Sequence, residues 1–232
     1  MDRKLLLLFI IISFSAQGQD LEPSRLFSQA IGKNIKTYRI NSKQAYADND
    51  FKRAEMLFDS FIKKVVNGST LDNFPIRKIS GKRKKLYDYK KPIFLITYAS
   101  WCTPGVGEIP ALNAVARKHY KDIDFIVLFW DTKKNARKLG RAYDNKIQVV
   151  YINELENTNS TAIKTMKHSL GFPTSFFIDA NKKILDVRRG ALHPYHEEYE
   201  ISFELNYNSF LNGISMLKTL PSQNEISAVD TP

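Results

Sequence analysis

Cys102 is the only thiol in a chain of 232 residues, and it stands in the segment Tyr98-Ala99-Ser100-Trp101-Cys102-Thr103-Pro104-Gly105. Before it runs a stretch of apolar residues, and after it a stretch with helical spacing. A cysteine at the start of a helix faces unsatisfied backbone N–H groups and the positive end of the helix dipole. Both favour the thiolate, so the expectation is a pKa below the reference of about 8.5 and a nucleophilic sulfur at neutral pH. Pro104 suits a first helical turn, where its missing N–H has no partner to lose. A solitary cysteine excludes an internal disulfide, a paired-thiol redox centre and a cysteine-rich zinc site. Any thiol chemistry is therefore monothiol or intermolecular; the alternative is an inert buried thiol.

Glu108, six residues on, is open to two readings. A partly buried carboxylate near the thiol can serve as general acid or base, its pKa raised by desolvation. A first-turn carboxylate favoured by the helix dipole needs no chemistry at all. The four histidines are scattered. His119 ends a helix among lysines, His168 precedes the Ser169-Leu170-Gly171-Phe172-Pro173 loop within possible reach of the site, and His193 and His196 flank Pro194-Tyr195. Their spacing gives no metal site, and neither metal nor cofactor is expected.

The elements that must position Cys102 follow from apolar periodicity. Ile93 to Ala99 and Asp124 to Trp130 are continuous apolar, β-rich runs, as expected for strands buried on both faces. Between them, Val106 to Tyr120 carries Ile109, Leu112, Val115 and Ala116 at helical spacing, giving a βαβ unit. A helix opened by Asp131-Thr132 leads to a strand from Gln148 to Ile152. A helix from Ser160 to Ser169 precedes strands at Thr174–Ile178 and Lys183–Arg188 around an Asp179-Ala180-Asn181 turn. Two strands so tightly joined are antiparallel, so the sheet is mixed. Upstream, Leu21 to Gly68 is helical in character: Asp48-Asn49-Asp50 offers capping, and Phe51, Ala54, Leu57, Phe58, Phe61, Ile62 and Val65 form one apolar face until Asn67-Gly68. Downstream, the acidic stretch of Glu197, Glu198, Glu200 and Glu204 opens a helix whose face continues through Phe210, Leu211, Ile214 and Leu217, with a polar tail from Pro221 to Pro232.

The N-terminus reads as an export signal: Arg3 and Lys4, the apolar run Leu5 to Ile12, then small and polar residues ending near Gly18. The run is shorter than the roughly 20 residues a bilayer span requires, so a soluble, exported, periplasmic protein without a membrane anchor is expected. Net charge is +11 for the chain and +10 once Asp2, Arg3 and Lys4 are removed with residues 1–18. Eight basic residues between Arg77 and Lys91 face Asp88 alone; around the turn Ser80-Gly81-Lys82 they read as the solvated face of a hairpin, and no nucleic-acid partner is expected.

Residues from about Leu71 to Leu192 resemble the exported, bacterial thioredoxin-fold proteins of the TlpA/ResA type, relatives of the redoxins. The resemblance rests on Leu71-Asp72-Asn73-Phe74, Gly81, Leu86-Tyr87-Asp88-Tyr89, Lys91-Pro92, Ala99-Ser100-Trp101-Cys102-Thr103-Pro104, Glu108 with Pro110, and Gly171-Phe172-Pro173-Thr174 before Phe176-Phe177-Ile178-Asp179. It implies an α/β thioredoxin-like fold with a mixed central sheet flanked by helices, plus an N-terminal helical extension and a C-terminal helix. It also implies a cis peptide at Phe172-Pro173 beside the cysteine, where backbone pairs with a bound substrate chain. Cys102 and Glu108 are the implied catalytic residues; Trp101, Thr103, Pro104, Phe172 and Pro173 are the implied substrate contacts. The departure is at Gly105, where the family's Cys-x-x-Cys carries its second cysteine. The segments expected are a signal peptide at 1–18, a helical extension at 19–70, a thioredoxin-like domain at 71–194 and a helix and tail at 195–232. Two functions follow: monothiol exchange with exported protein or small-molecule thiols and disulfides, completed by an external thiol, or a disarmed fold that binds protein in a chaperone-like way.

Overall fold

A computed structural model of the chain describes residues 25–156, 160–190 and 197–218. The export signal, His193, His196 and the C-terminal tail lie outside the described residues. Seven strands form one mixed sheet: β1 (Pro75–Lys78), β2 (Arg83–Lys85), β3 (Ile93–Tyr98), β4 (Asp124–Phe129), β5 (Ile147–Tyr151), β6 (Thr174–Ile178) and β7 (Ile184–Arg189), in the order β2-β1-β5-β4-β3-β6-β7. β3, β4 and β5 are parallel; β6 joins β3 antiparallel, and β7 joins β6 likewise. Every residue of β3 and all but the first of β4 are buried, because helices cover both faces of the sheet centre.

Alternation along β3 divides the core. Ile93 and Leu95 point to one face, where they meet Ile126, Phe176 and Ile178. Phe94, Ile96 and Tyr98 point to the other, with Phe125, Val127 and Phe177. The first face is closed by α1 (Phe27–Ala47), α2 (Phe51–Phe61) with its continuation to Val66, and the helical segment 160–170. The second is closed by α3 (Glu108–His119), α4 (Lys133–Leu139) and the C-terminal helix (Tyr199–Lys218). The helical extension thus breaks into two antiparallel-neighbouring helices that share the sheet's core. The break falls at Asp48-Asn49-Asp50, where Asn49 takes a positive φ and the Asp50 carboxylate accepts from Arg53 N–H at 2.9 Å as the cap of α2.

The basic hairpin has its turn at Gly81, whose φ of 93° lies in the left-handed region that glycine tolerates. Gly81 N–H donates to Lys78 C=O at 2.7 Å, and Lys78 N–H to Lys82 C=O at 2.9 Å. A mixed sheet with α3 and the C-terminal helix on one face and α1, α2 and segment 160–170 on the other is a thioredoxin-like fold with both expected appendages.

Candidate active site

β3 ends at Tyr98, and Ala99 to Gly105 follow as a loop in which Cys102 N–H donates to Ala99 C=O at 2.9 Å. The first residue of α3 is Glu108. Cys102 and Pro104 therefore lie upstream of the helix rather than in its first turn, a correction to the reading from spacing. The physical reason is tertiary. Gly107 N–H donates to Ser202 Oγ at 3.0 Å, and a Cβ on Gly107 would stand 2.1 Å from Phe203 N, so the C-terminal helix presses backbone to backbone on the residue before α3.

The electrostatics of the thiol are corrected with it. Cys102 is half-buried, and burial pushes its pKa up, with the Glu108 carboxylate adding to the rise and a backbone hydrogen bond at Ala99 opposing it. No helix start offsets these effects. Glu108 is 2% exposed, despite being a carboxylate. One of its oxygens, Oε1, accepts from the Tyr98 hydroxyl; Oε2 accepts from Gly105 N–H at 3.3 Å. Tyr98 is itself hydrogen-bonded to Tyr143. Burial, then Glu108, holds both phenols well above their ordinary range, and Cys102 adds to the rise at Tyr143. The thiol, two phenols and the carboxylate are thus electrostatically linked, with Tyr98 and Glu108 fully buried and Cys102 and Tyr143 partly so.

Above the thiol the surroundings are aromatic and open. Trp101 is 71% exposed and meets the Phe172 ring edge-on at 5.4 Å. Thr103 is exposed, and Pro104 is partly buried. The Phe172-Pro173 peptide is cis. Thr174 pairs with Thr97, so Pro173 enters β6 beside the end of β3 from which the cysteine loop leaves. Gly190 N–H donates to Pro173 C=O at 2.8 Å, and a Cβ on Gly190 would lie 2.2 Å from Pro173 Cγ. Cys102, Glu108, Trp101, Phe172 and Pro173 therefore converge at one end of the sheet.

The two histidines among the described residues, His119 and His168, make other contacts. His119 closes α3 eleven residues from Glu108, about 16 Å along the helix axis. Its Nδ1 lies 3.1 Å from Lys218 Nζ, and burial, then Lys218, lowers its pKa. His168 C=O accepts from Arg39 Nη2 at 2.7 Å, tying segment 160–170 to α1. Among the described residues no group of three or more His, Cys, Asp or Glu is placed to hold a metal ion.

Three residues of the site escaped the reading from spacing. Tyr98 alternates within an apolar strand like any core aromatic, and Tyr143 lies 41 positions beyond Cys102 with no local signal. Asp131 bounds the loop from β4: its carboxylate accepts from Ser100 N–H at 3.1 Å, Thr132 N–H at 2.7 Å and Asn135 Nδ2 at 2.7 Å. Burial pushes its carboxyl up, but these hydrogen bonds outweigh it and leave the pKa below the ordinary value.

The chain is similar to known proteins over this region. It is 30% identical over 126 residues to the thiol-disulfide oxidoreductase ResA of Bacillus thuringiensis subsp. konkukian (strain 97-27), covering 53% of this chain and 69% of that one. It is 20% identical over 152 residues to the thioredoxin-like protein YneN of Bacillus subtilis (strain 168), covering 64% and 88%. The solved thioredoxin domain of a thiol-disulfide oxidoreductase from Bacteroides vulgatus is 15% identical and covers 63% of this chain and 96% of its own, with a TM-score of 0.45. The model of the AhpC/TSA family matches residues 68–187. That stretch is just over half the chain and takes in the cysteine loop, the buried carboxylate and the cis-proline strand, and the chain belongs to the AhpC/TSA family.

Proposed function

We propose that this is an exported protein that carries out thiol–disulfide exchange through Cys102 alone. The observation that carries the proposal is a solitary, half-buried thiol that follows Trp101, whose ring meets Phe172, and that feels the buried Glu108 carboxylate, with glycine three residues on. Cys102 thiolate attacks one sulfur of a client disulfide, forms the mixed disulfide and releases the other client sulfur as thiolate. An external thiolate then attacks the mixed disulfide, frees Cys102 and is itself oxidised into the new disulfide. Glu108, linked to the phenols, takes up the thiol proton as general base. Trp101, Thr103, Pro104, Phe172 and Pro173, just before β6, hold the client chain beside the sulfur. Export rests on the Arg3-Lys4 flank and the apolar run that follows. No helix among the described residues is long and apolar enough to cross a membrane.

The raised thiol pKa shapes the cycle. Little thiolate is present at neutral pH, so attack on small disulfides is slow. In the mixed disulfide a high-pKa sulfur is a poor leaving group, so the adduct persists. The same rise favours a second reading, in which the groove binds an extended chain and Cys102 reacts with nothing. The two separate on non-reducing gels of cells making the protein. Exchange predicts thiol-sensitive complexes with the unmodified chain, none with Cys102→Ser, and markedly fewer with Gly105→Cys, which restores a resolving thiol. Absence of complexes from the unmodified chain contradicts exchange and leaves the binding reading.

A further inference from the structure

Outside the cysteine site, α4 and the turn that follows it carry a dense run of positive charge. Lys133, Lys134, Arg137, Lys138 and Arg141 are all exposed and together line a surface depression of about 510 Å³. From Thr132 to Tyr143 the sequence contains no acidic residue. Among the described residues, no ion pair involves any of these five, whereas Arg77 is paired with Glu156 at 2.6 Å and Arg117 with Asp144 at 3.0 Å. Lys133 and Lys134 occupy the first turn of α4, which has no acidic residue there, so their charge opposes the helix dipole. Local stability does not call for this pattern.

The basic hairpin adjoins the same surface. Lys133 Nζ lies 3.4 Å from the position a Cβ would take on Gly81, at the hairpin tip, next to exposed Lys82 and Arg83. Two segments 50 residues apart in sequence thus merge into one cationic face. Its residues are lysines and arginines without an aromatic or apolar centre. Protein interfaces are depleted in lysine and use aromatic anchors, and single-stranded nucleic acid is held on stacking aromatics. A diffuse anionic surface needs only such unpaired cations, each attracted within about a Debye length. We propose that α4 and the β1–β2 hairpin tip form an electrostatic docking face for an anionic lipid bilayer. This goes beyond the reading of Cys102 and does not depend on it.

Cosedimentation of the full chain with vesicles tests the proposal. The readout is the excess binding to phosphatidylcholine–phosphatidylglycerol vesicles over phosphatidylcholine alone, because the apolar run Leu5 to Ile12 contributes to both. The excess is large at low salt and disappears as salt rises. Replacing Lys134, Arg137 and Lys138 by Gln lowers the affinity for the anionic vesicles about a hundredfold, at about fivefold per charge. Replacing Lys43 on α1, Lys52 on α2 and Lys63 just after it removes the same charge elsewhere and changes it less than about twofold. Unchanged far-UV circular dichroism keeps both comparisons valid. Equal binding to the two vesicle types, equal loss in the two triple variants, or displacement from anionic vesicles by duplex DNA at equimolar phosphate overturns the proposal.

Discussion

At Cys102 two influences compete, and their sizes decide the chemistry. A helix start stabilises a nearby negative charge by about 0.3–1 kcal/mol and acts only within the first turn. Cys102 lies outside that turn, while burial and the Glu108 carboxylate both act on the sulfur directly. Both favour the protonated thiol. Removing the carboxylate's charge relieves one of the two causes: Glu108→Gln lowers the thiol pKa, so alkylation at pH 7 becomes faster and its pH profile shifts to lower pH. Iodoacetamide labelling followed by intact mass across pH 6–10 (about the range in which thiols titrate) measures this; an unchanged profile removes Glu108 from the site's electrostatics. Residue type and position singled out Cys102 and Glu108 in the sequence, and the family resemblance singled out Pro173. The direction of the thiol shift was not, because it depends on what buries the sulfur, and periodicity from Val106 places the helix start two residues too early.

Among elements, the C-terminal helix does more than cover the sheet. Its Ser202 and Phe203 contact Gly107 just before α3, and Phe210, Ile214 and Leu217 fill the core beside Phe94 and Phe177. Gly107→Ala puts a methyl into Phe203 backbone and costs about 2 kcal/mol, read as a lower urea midpoint. The same substitution alters the Cys102 alkylation rate, because the loop and the helix start move together. Loss of the α2 cap in Asp50→Ala costs about 1 kcal/mol and leaves that rate unchanged. If the two variants affect alkylation alike, the C-terminal helix does not position the loop. The helix itself was readable from the spacing of Phe210, Ile214 and Leu217. Its pressure on Gly107 was not, since 95 residues separate Gly107 from Ser202.

At the scale of the whole molecule, the helical extension and the sheet share one apolar cluster: Phe58, Phe61 and Tyr38 stand with Ile76, Leu95 and Phe176. Arg189 of the edge strand β7 donates to Tyr38 Oη at 2.6 Å and lies 4.1 Å over the Phe58 ring. Unfolding is therefore one transition, and Phe58→Ala lowers its stability by about 3–4 kcal/mol, with tryptophan fluorescence and far-UV circular dichroism changing together. Separate transitions would mean that the extension folds as its own unit. The buried runs of β3 and β4 made the sheet centre legible, while the docking of α1 and α2 on the β6–β7 side depends on faces that periodicity defines but cannot pair. The central claim, exchange by one thiol, is tested most directly by incubating the protein with a disulfide-bearing extended peptide and following intact mass. The account predicts a single adduct at Cys102 that persists until an external thiol is added and then disappears, with none on Cys102→Ser. Peptide binding without any adduct contradicts it.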